Sequence, residues 1–165
     1  MLIIGFGNVH RRDDGVGLVV INSVRERLGR PLLEAEDDGF DYLGGEIDTL
    51  HLHQLVPDMA EMIAEYDLVI FIDAHVENIP DPIREENLIA GYDSTIVPHQ
   101  LHPRTVLALA HQLYGGQTRG VLLSIRGYDF DFGEELSAQT AALLPAAVTR
   151  VLALTGEVML IATTI

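Results

Sequence analysis

"LIIGFGNVHRRDDGVGLVV", Leu2 to Val20, is the stretch on which the fold turns. "LIIGF" is a continuous apolar run ended by glycine, the pattern of a strand buried on both faces. From Asp14 to Leu28 the apolar residues Val16, Val19, Val20, Val24 and Leu28 recur at helical spacing, and Gly29, Arg30 and Pro31 stop that helix. The connection is a glycine-rich turn of the kind that cradles phosphate, yet it carries Asp13 and Asp14 where a phosphate would be repelled. Asp13 suits a helix cap, which frees Asp14 for other work.

Further along, "LLEAE" (32–36) is a weak candidate second strand, followed by the glycine- and acid-rich connection "DDGFDYLGGE" (37–46). "HQLVPDMAEMIAEY" (53–66) places Leu55, Met59, Met62 and Ile63 on one helical face. "DLVIFIDA" (67–74) is the clearest strand, apolar at its centre and polar at its end. "ENIPDPIREEN" (77–87) is a loop by its prolines and charges, and "LIAGYDSTIV" (88–97) an extended segment or hairpin. "HPRTVLALAHQLY" (102–114) is a helix with Pro103 in its first turn, and "GVLLSIRG" (120–127) a strand. "GEELSAQTAALLPAAVTRVLALTG" (133–156) is a long last helix with Pro145 inside. The tail "EVMLIATTI", after about residue 156, reads equally as strand or as disordered. Strands alternating with amphipathic helices predict one domain over residues 1–165. It is a three-layer α/β/α fold with a mostly parallel, twisted sheet of about five strands.

The composition narrows the function. A formal net charge of −15 argues against nonspecific attraction to nucleic acid or anionic membrane. All ten basic residues are arginine, so a Schiff base, a P-loop lysine and a receiver-domain lysine are excluded. The absence of cysteine removes disulfides, thiolate nucleophiles and cysteine-built zinc sites. "MLIIGF" lacks a signal peptide's basic flank and no apolar run is long enough to span a membrane, so a cytoplasmic location is expected.

In a parallel sheet of this kind, ligands bind outside the carboxyl ends of the strands. That rule selects the turn after "LIIGF", the end of "LVIFI" and the loop around "PHQ". Asp14, Asp73 and His99 stand at these three places. Each alone has an ordinary explanation, as a helix-dipole partner, a strand-end carboxylate and a solvated loop histidine. Together, two carboxylates and an imidazole form a workable partial shell for a divalent ion such as nickel or zinc. Gly5 and Gly7 would let a metal or substrate backbone approach the first strand closely.

"GFGN" followed by "RRDDGVG", then "LVIFIDA", then "VPHQL", resembles the hydrogenase maturation endopeptidases. The likeness runs from Leu2 to about Leu109 and continues through "LLSIRG" and "FGEELS". Those enzymes trim the C-terminal extension from the large subunit of [NiFe]-hydrogenase after nickel insertion. The resemblance implies that Asp14, Asp73 and His99 are the catalytic, metal-contacting residues, with aspartate in place of the glutamate frequent at the first position. It implies nickel presented by the precursor, no tightly bound metal of the enzyme's own, no organic cofactor, and the large-subunit precursor as partner. Members commonly carry a "DGGT"-like stretch after the second strand; Asp38 with Gly39, or Gly44 with Gly45, are its candidate counterparts here. With Gly5, Gly7 and Asn8 these are the candidates for contact with the substrate. The stretch from Thr49 to Phe71 resembles the branch serving soluble, NAD-linked or related cytosolic hydrogenases. The other histidines (His10, His51, His53, His75, His102 and His111) read as surface or half-buried groups, and Arg11 and Arg12 as loop residues. Alternatives are an independent metal-dependent hydrolase, a nucleotide-binding domain disfavoured by His10 at the third glycine position of G-x-G-x-x-G, or a non-enzymatic binding module.

Overall fold

The computed structural model describes residues 1–76, 78–92 and 101–156. Its elements are β1 (Leu2–Phe6), α1 (Val16–Arg27), β2 (Asp48–Leu52), α2 (Met59–Ile63), β3 (Leu68–His75), β4 (Ile83–Leu88), α3 (Pro103–Tyr114), β5 (Arg119–Arg126) and α4 (Ala138–Thr155). The sheet runs β2-β1-β3-β5-β4, parallel except for β4, which lies antiparallel to β5 at the edge.

Alternation along the central strands sends side chains into two cores. Ile3, Ile70, Ile72 and Leu123 face α1 and α4, meeting Val20, Ile21 and Val24 from the first helix and Val148, Val151 and Leu152 from the last. Leu2, Ile4, Val69 and Phe71 face the opposite way, toward Met59, Ala60 and Ile63 of α2 and Val106, Leu107 and Ala110 of α3. The result is the expected α/β/α sandwich. After β1 the chain goes to β2 on one side, then crosses to β3 on the other. The carboxyl ends of β1 and β3 therefore flank the point where the connections diverge, which opens a crevice there.

Four local expectations need correction. "LLEAE" is not a strand: Leu33 has its backbone N–H and C=O bonded at 2.8 Å by the Asn22 side-chain amide of α1, so it has no need of a ladder. The second strand is Asp48–Leu52, whose polar Asp48, Thr49 and His51 obscure the apolar signal. The charged segment taken for a loop contains β4, which pairs in register from Ile83↔Ile125 to Leu88↔Gly120; charges on an edge strand deter unwanted pairing. The helix expected over 53–66 is only Met59–Ile63, because Pro57 has no N–H for an earlier turn. Helix α4 meets the length and hydropathy of a membrane span, contrary to the sequence expectation, but its inner face lies on the sheet. It continues through Pro145. Residues 93–97 and the tail 157–165 lie outside the described residues.

One contact sets how closely α1 covers the sheet. A side-chain carbon at Gly5 would stand 2.6 Å from the Gly17 carbonyl oxygen, and one at Gly17 would stand 2.9 Å from the Phe6 nitrogen. Gly5→Ala is expected to lower stability by about 1–3 kcal/mol through overpacking. Thermal unfolding checks this, with a drop of several degrees expected.

Candidate active site

Asp13 and Asp14 lie in a single 3-10 turn, Arg12–Gly15, ahead of α1. Asp13 does not cap α1. Its carboxylate is fully buried and accepts hydrogen bonds from the N–H groups of Tyr128 (2.7 Å), Asp129 (2.9 Å) and Ser137 (2.7 Å) and from the Ser137 hydroxyl (2.7 Å). Burial opposes the charge, but these four donors outweigh it and hold the carboxyl below its ordinary range. The loop between β5 and α4 is thereby tied to the turn after β1.

Asp14 is left to face the other way. Its Oδ2 accepts the Asn8 N–H at 2.8 Å, and its backbone carbonyl occupies the space where a side chain on Gly7 would begin. Gly7 has φ +141°, so the turn depends on glycine there for conformation and space. Asp73 comes from β3, on the face that holds Val69 and Phe71, one step beyond the apolar core. Both carboxylates line a cleft of about 680 Å³ at the switch point of the sheet. Phe6, Leu122 and Phe130 supply apolar wall and His53, Gln54 and His102 polar wall.

The surroundings of Asp73 perturb its carboxyl. Burial pushes the Asp73 carboxyl up to about 7, and the nearby Asp14 charge pushes in the same direction, against the 2.8 Å hydrogen bond from the Ala74 N–H. A carboxyl that keeps its proton near neutrality beside a second carboxyl suits acid–base chemistry. A cation entering the pair would displace that proton. Among the described residues no three His, Cys, Asp or Glu side chains are grouped to hold a metal ion. His99 lies outside the described residues.

The other candidates separate. Asn8 and Gly7 line the cleft. Gly5 does not: the close approach it permits is that of α1, so its role is packing and not the ligand access expected of it. Gly44 and Gly45 donate their N–H groups to Asp48 at 3.0 and 2.9 Å, at the start of β2 and thus at the opposite end of the sheet from the cleft. Asp38 accepts the His51 N–H at 2.9 Å along the outer edge of β2, with Gly39 against the Thr49 carbonyl. Neither glycine pair follows the second strand, because that strand ends at Leu52. The segment that does follow it is His53–Leu55, and all three of these residues line the cleft.

Among the remaining histidines, His75 bridges Ser124 Oγ (2.9 Å) and the Asp81 carbonyl (3.0 Å). Burial pushes the His51 imidazole down to about 4, so it stays neutral in the fold. His102 caps α3, its Nδ1 accepting the Arg104 N–H at 3.2 Å, and its position in the cleft was missed from sequence. The signal was available: a histidine directly before Pro103 at the start of a helix faces the carboxyl end of the sheet.

Because Asp73 holds its proton to about 7 when folded and to about 3.9 when unfolded, folding takes up a proton between these values. Its contribution to stability is full below about pH 4 and is lost as pH rises through about 7. Asp73→Asn removes the penalty. The variant is expected to be more stable than the parent at pH 8 by about 1–3 kcal/mol, after discounting for partial exposure, and equal to it near pH 3.5. Urea unfolding at the two pH values checks this.

No protein-family model matches the sequence, and no curated protein matches it significantly. Solved structures do. The hydrogenase maturating endopeptidase HybD from E. coli is 19% identical, with a TM-score of 0.64 over 94% of this chain and 91% of its own. The [NiFe] hydrogenase maturation protease HybD from Thermococcus kodakarensis is 18% identical, with a TM-score of 0.58 over 93% and 97%. The protease HycI from the same organism is 22% identical, with a TM-score of 0.59 over 94% and 89%. The cleft between β1 and β3 is thus carried on a scaffold spanning nearly the full length of each: this chain has the fold of the [NiFe]-hydrogenase maturation proteases.

Proposed function

We propose that the protein is a cytoplasmic endopeptidase that removes the C-terminal extension of a nickel-loaded [NiFe]-hydrogenase large-subunit precursor. The observation that carries this reading is the meeting of Asp14 and Asp73 across one cleft at the sheet's switch point, in a fold shared with proteins of that activity. In this reading Asp14, Asp73 and His99 complete the coordination of nickel that the precursor brings. Leu101, two residues after His99 in the chain, lines the cleft, which supports the third assignment. The enzyme keeps no metal of its own, and two carboxylates leave coordination positions for ligands from the partner. Nickel serves as the recognition handle and polarises the scissile carbonyl or a water. A cleft of about 680 Å³ would take a short extended segment of the precursor, with Phe6, Leu122 and Phe130 as its apolar side.

A second reading rests on the proton held by Asp73. With the second carboxyl of Asp14 beside it, the pair would run general acid–base hydrolysis of the aspartyl type, with nickel required only for recognition.

Chelator-treated enzyme is expected to cleave the nickel-loaded precursor and leave the nickel-free form intact, as followed by the mass of the large subunit. Equal processing of both forms would overturn the nickel-dependent account and favour the independent hydrolase. Asp14→Asn and Asp73→Asn should each fold, by circular dichroism, and lose cleavage by about 100-fold or more. Near-normal processing by either would move the site.

A further inference from the structure

The loop from Gly127 to Gly133, "GYDFDFG", is built more firmly than its exposure requires. Asp13 takes the N–H groups of Tyr128 and Asp129. The Arg11 guanidinium donates to the Phe130 carbonyl at 3.2 Å. The Arg12 N–H donates to the Gly133 carbonyl at 2.8 Å, and its guanidinium lies 3.4 Å from Asp129. Arg12 itself has φ +43°, a left-handed conformation that a non-glycine residue keeps only where the surroundings impose it. The loop closes on itself through the Asp131 N–H, which donates to Asp129 Oδ1 at 3.0 Å.

What this scaffold presents is apolar. Phe130 folds back over Gly127 to form cleft wall, whereas Phe132 is 89% exposed, more than any other large apolar side chain described. Tyr128, on the same loop, is also exposed. A side chain with no packing role, on a loop held by a buried carboxylate and two arginines, has a cost in water and no return within this chain. The surroundings are acidic: Asp129, Asp131, Glu134 and Glu135 against Arg11, Arg12 and His10. Of these, Asp129 is offset by Arg12 at 3.4 Å, and Glu134 lies 3.4 Å from the His10 ring; among the described residues, Asp131 and Glu135 make no ion pair.

We propose that Phe132, with Asp131 before it and Glu135 three residues after it in the chain, is the docking point for the protein substrate outside the cleft, and that it receives an apolar side chain next to arginine or lysine on the precursor's surface. The inference rests on the proposed function. Phe130 belongs at once to the cleft wall and to this loop, so the loop that carries Phe132 adjoins the cleft. Aromatic anchors within a polar rim dominate protein interfaces, and uncompensated acids beside one select basic partners and speed association.

The test uses the full-length enzyme and nickel-loaded precursor, with KM, kcat and the dissociation constant measured for the parent, Phe132→Ala, Phe132→Tyr and the double variant Asp131→Asn/Glu135→Gln. Phe132→Ala should fold as the parent does and weaken binding about tenfold or more, raising KM while kcat stays within about twofold. Phe132→Tyr should restore most of the affinity, and the double variant should flatten the salt dependence of binding. A parent that does not cleave the precursor would overturn the proposed function itself. A parent that cleaves, with Phe132→Ala binding as tightly as the parent, would overturn the docking point alone. So would a sedimentation experiment in which Phe132→Ala abolishes self-association of the enzyme without changing precursor affinity.

Discussion

The buried carboxylate of Asp13 is the interaction on which the rest of the upper face depends. Strands β1 and β5 are not neighbours, since β3 lies between them, so no extended ladder aligns the turns that follow them, although an isolated bridge joins Arg11 to Gly133. Asp13 does so with four charge-assisted hydrogen bonds, one of them from the N–H of Ser137, which in turn caps α4 through the Thr140 N–H. Neighbouring side chains in the turn point to opposite purposes: Asp13 inward, to hold the scaffold, and Asp14 outward, into the cleft. The acidic pair that looked wrong for a phosphate loop is therefore one structural and one chemical carboxylate. Asparagine at position 13 could offer one oxygen where the carboxylate offers two to four donors.

The cleft follows from topology. A doubly wound sheet leaves a crevice where its connections part, and here the parting lies between β1 and β3. Strand β3 brings Asp73 out of an apolar run, so the carboxyl is poorly hydrated, while the turn after β1 brings Asp14 near enough to oppose its ionisation. A buried carboxyl beside a second one costs stability. Such an arrangement persists where a cation or a proton transfer uses it.

Most of the central sheet was legible because β1, β3 and β5 are buried on both faces and read as continuous apolar runs. The edges were not. β2 is half polar and β4 is charged, and for both the determinant is pairing with a neighbour distant in sequence, which local pattern does not contain. Missing β2 displaced the search for substrate-contacting residues to Asp38–Gly39 and Gly44–Gly45, when the segment after the true second strand is His53–Leu55. Asp14 and Asp73 were found because strand ends are visible in hydropathy. The inward role of Asp13 was hidden because its four donors lie more than 100 residues away. His99 was selected by the same rule as the two aspartates, and it falls outside the described residues.

The central claim is that Asp14 and Asp73 share one poorly hydrated site and act as a pair. A carbon-detected NMR titration of the Asp73 side-chain carboxyl, in the parent and in Asp14→Asn, tests it most directly. The account predicts a midpoint near 7 in the parent and a lower one in the variant, still above about 4 because burial remains. A midpoint near 4 in the parent, unchanged by Asp14→Asn, would show that the two carboxylates are independent and solvated, and would contradict the account.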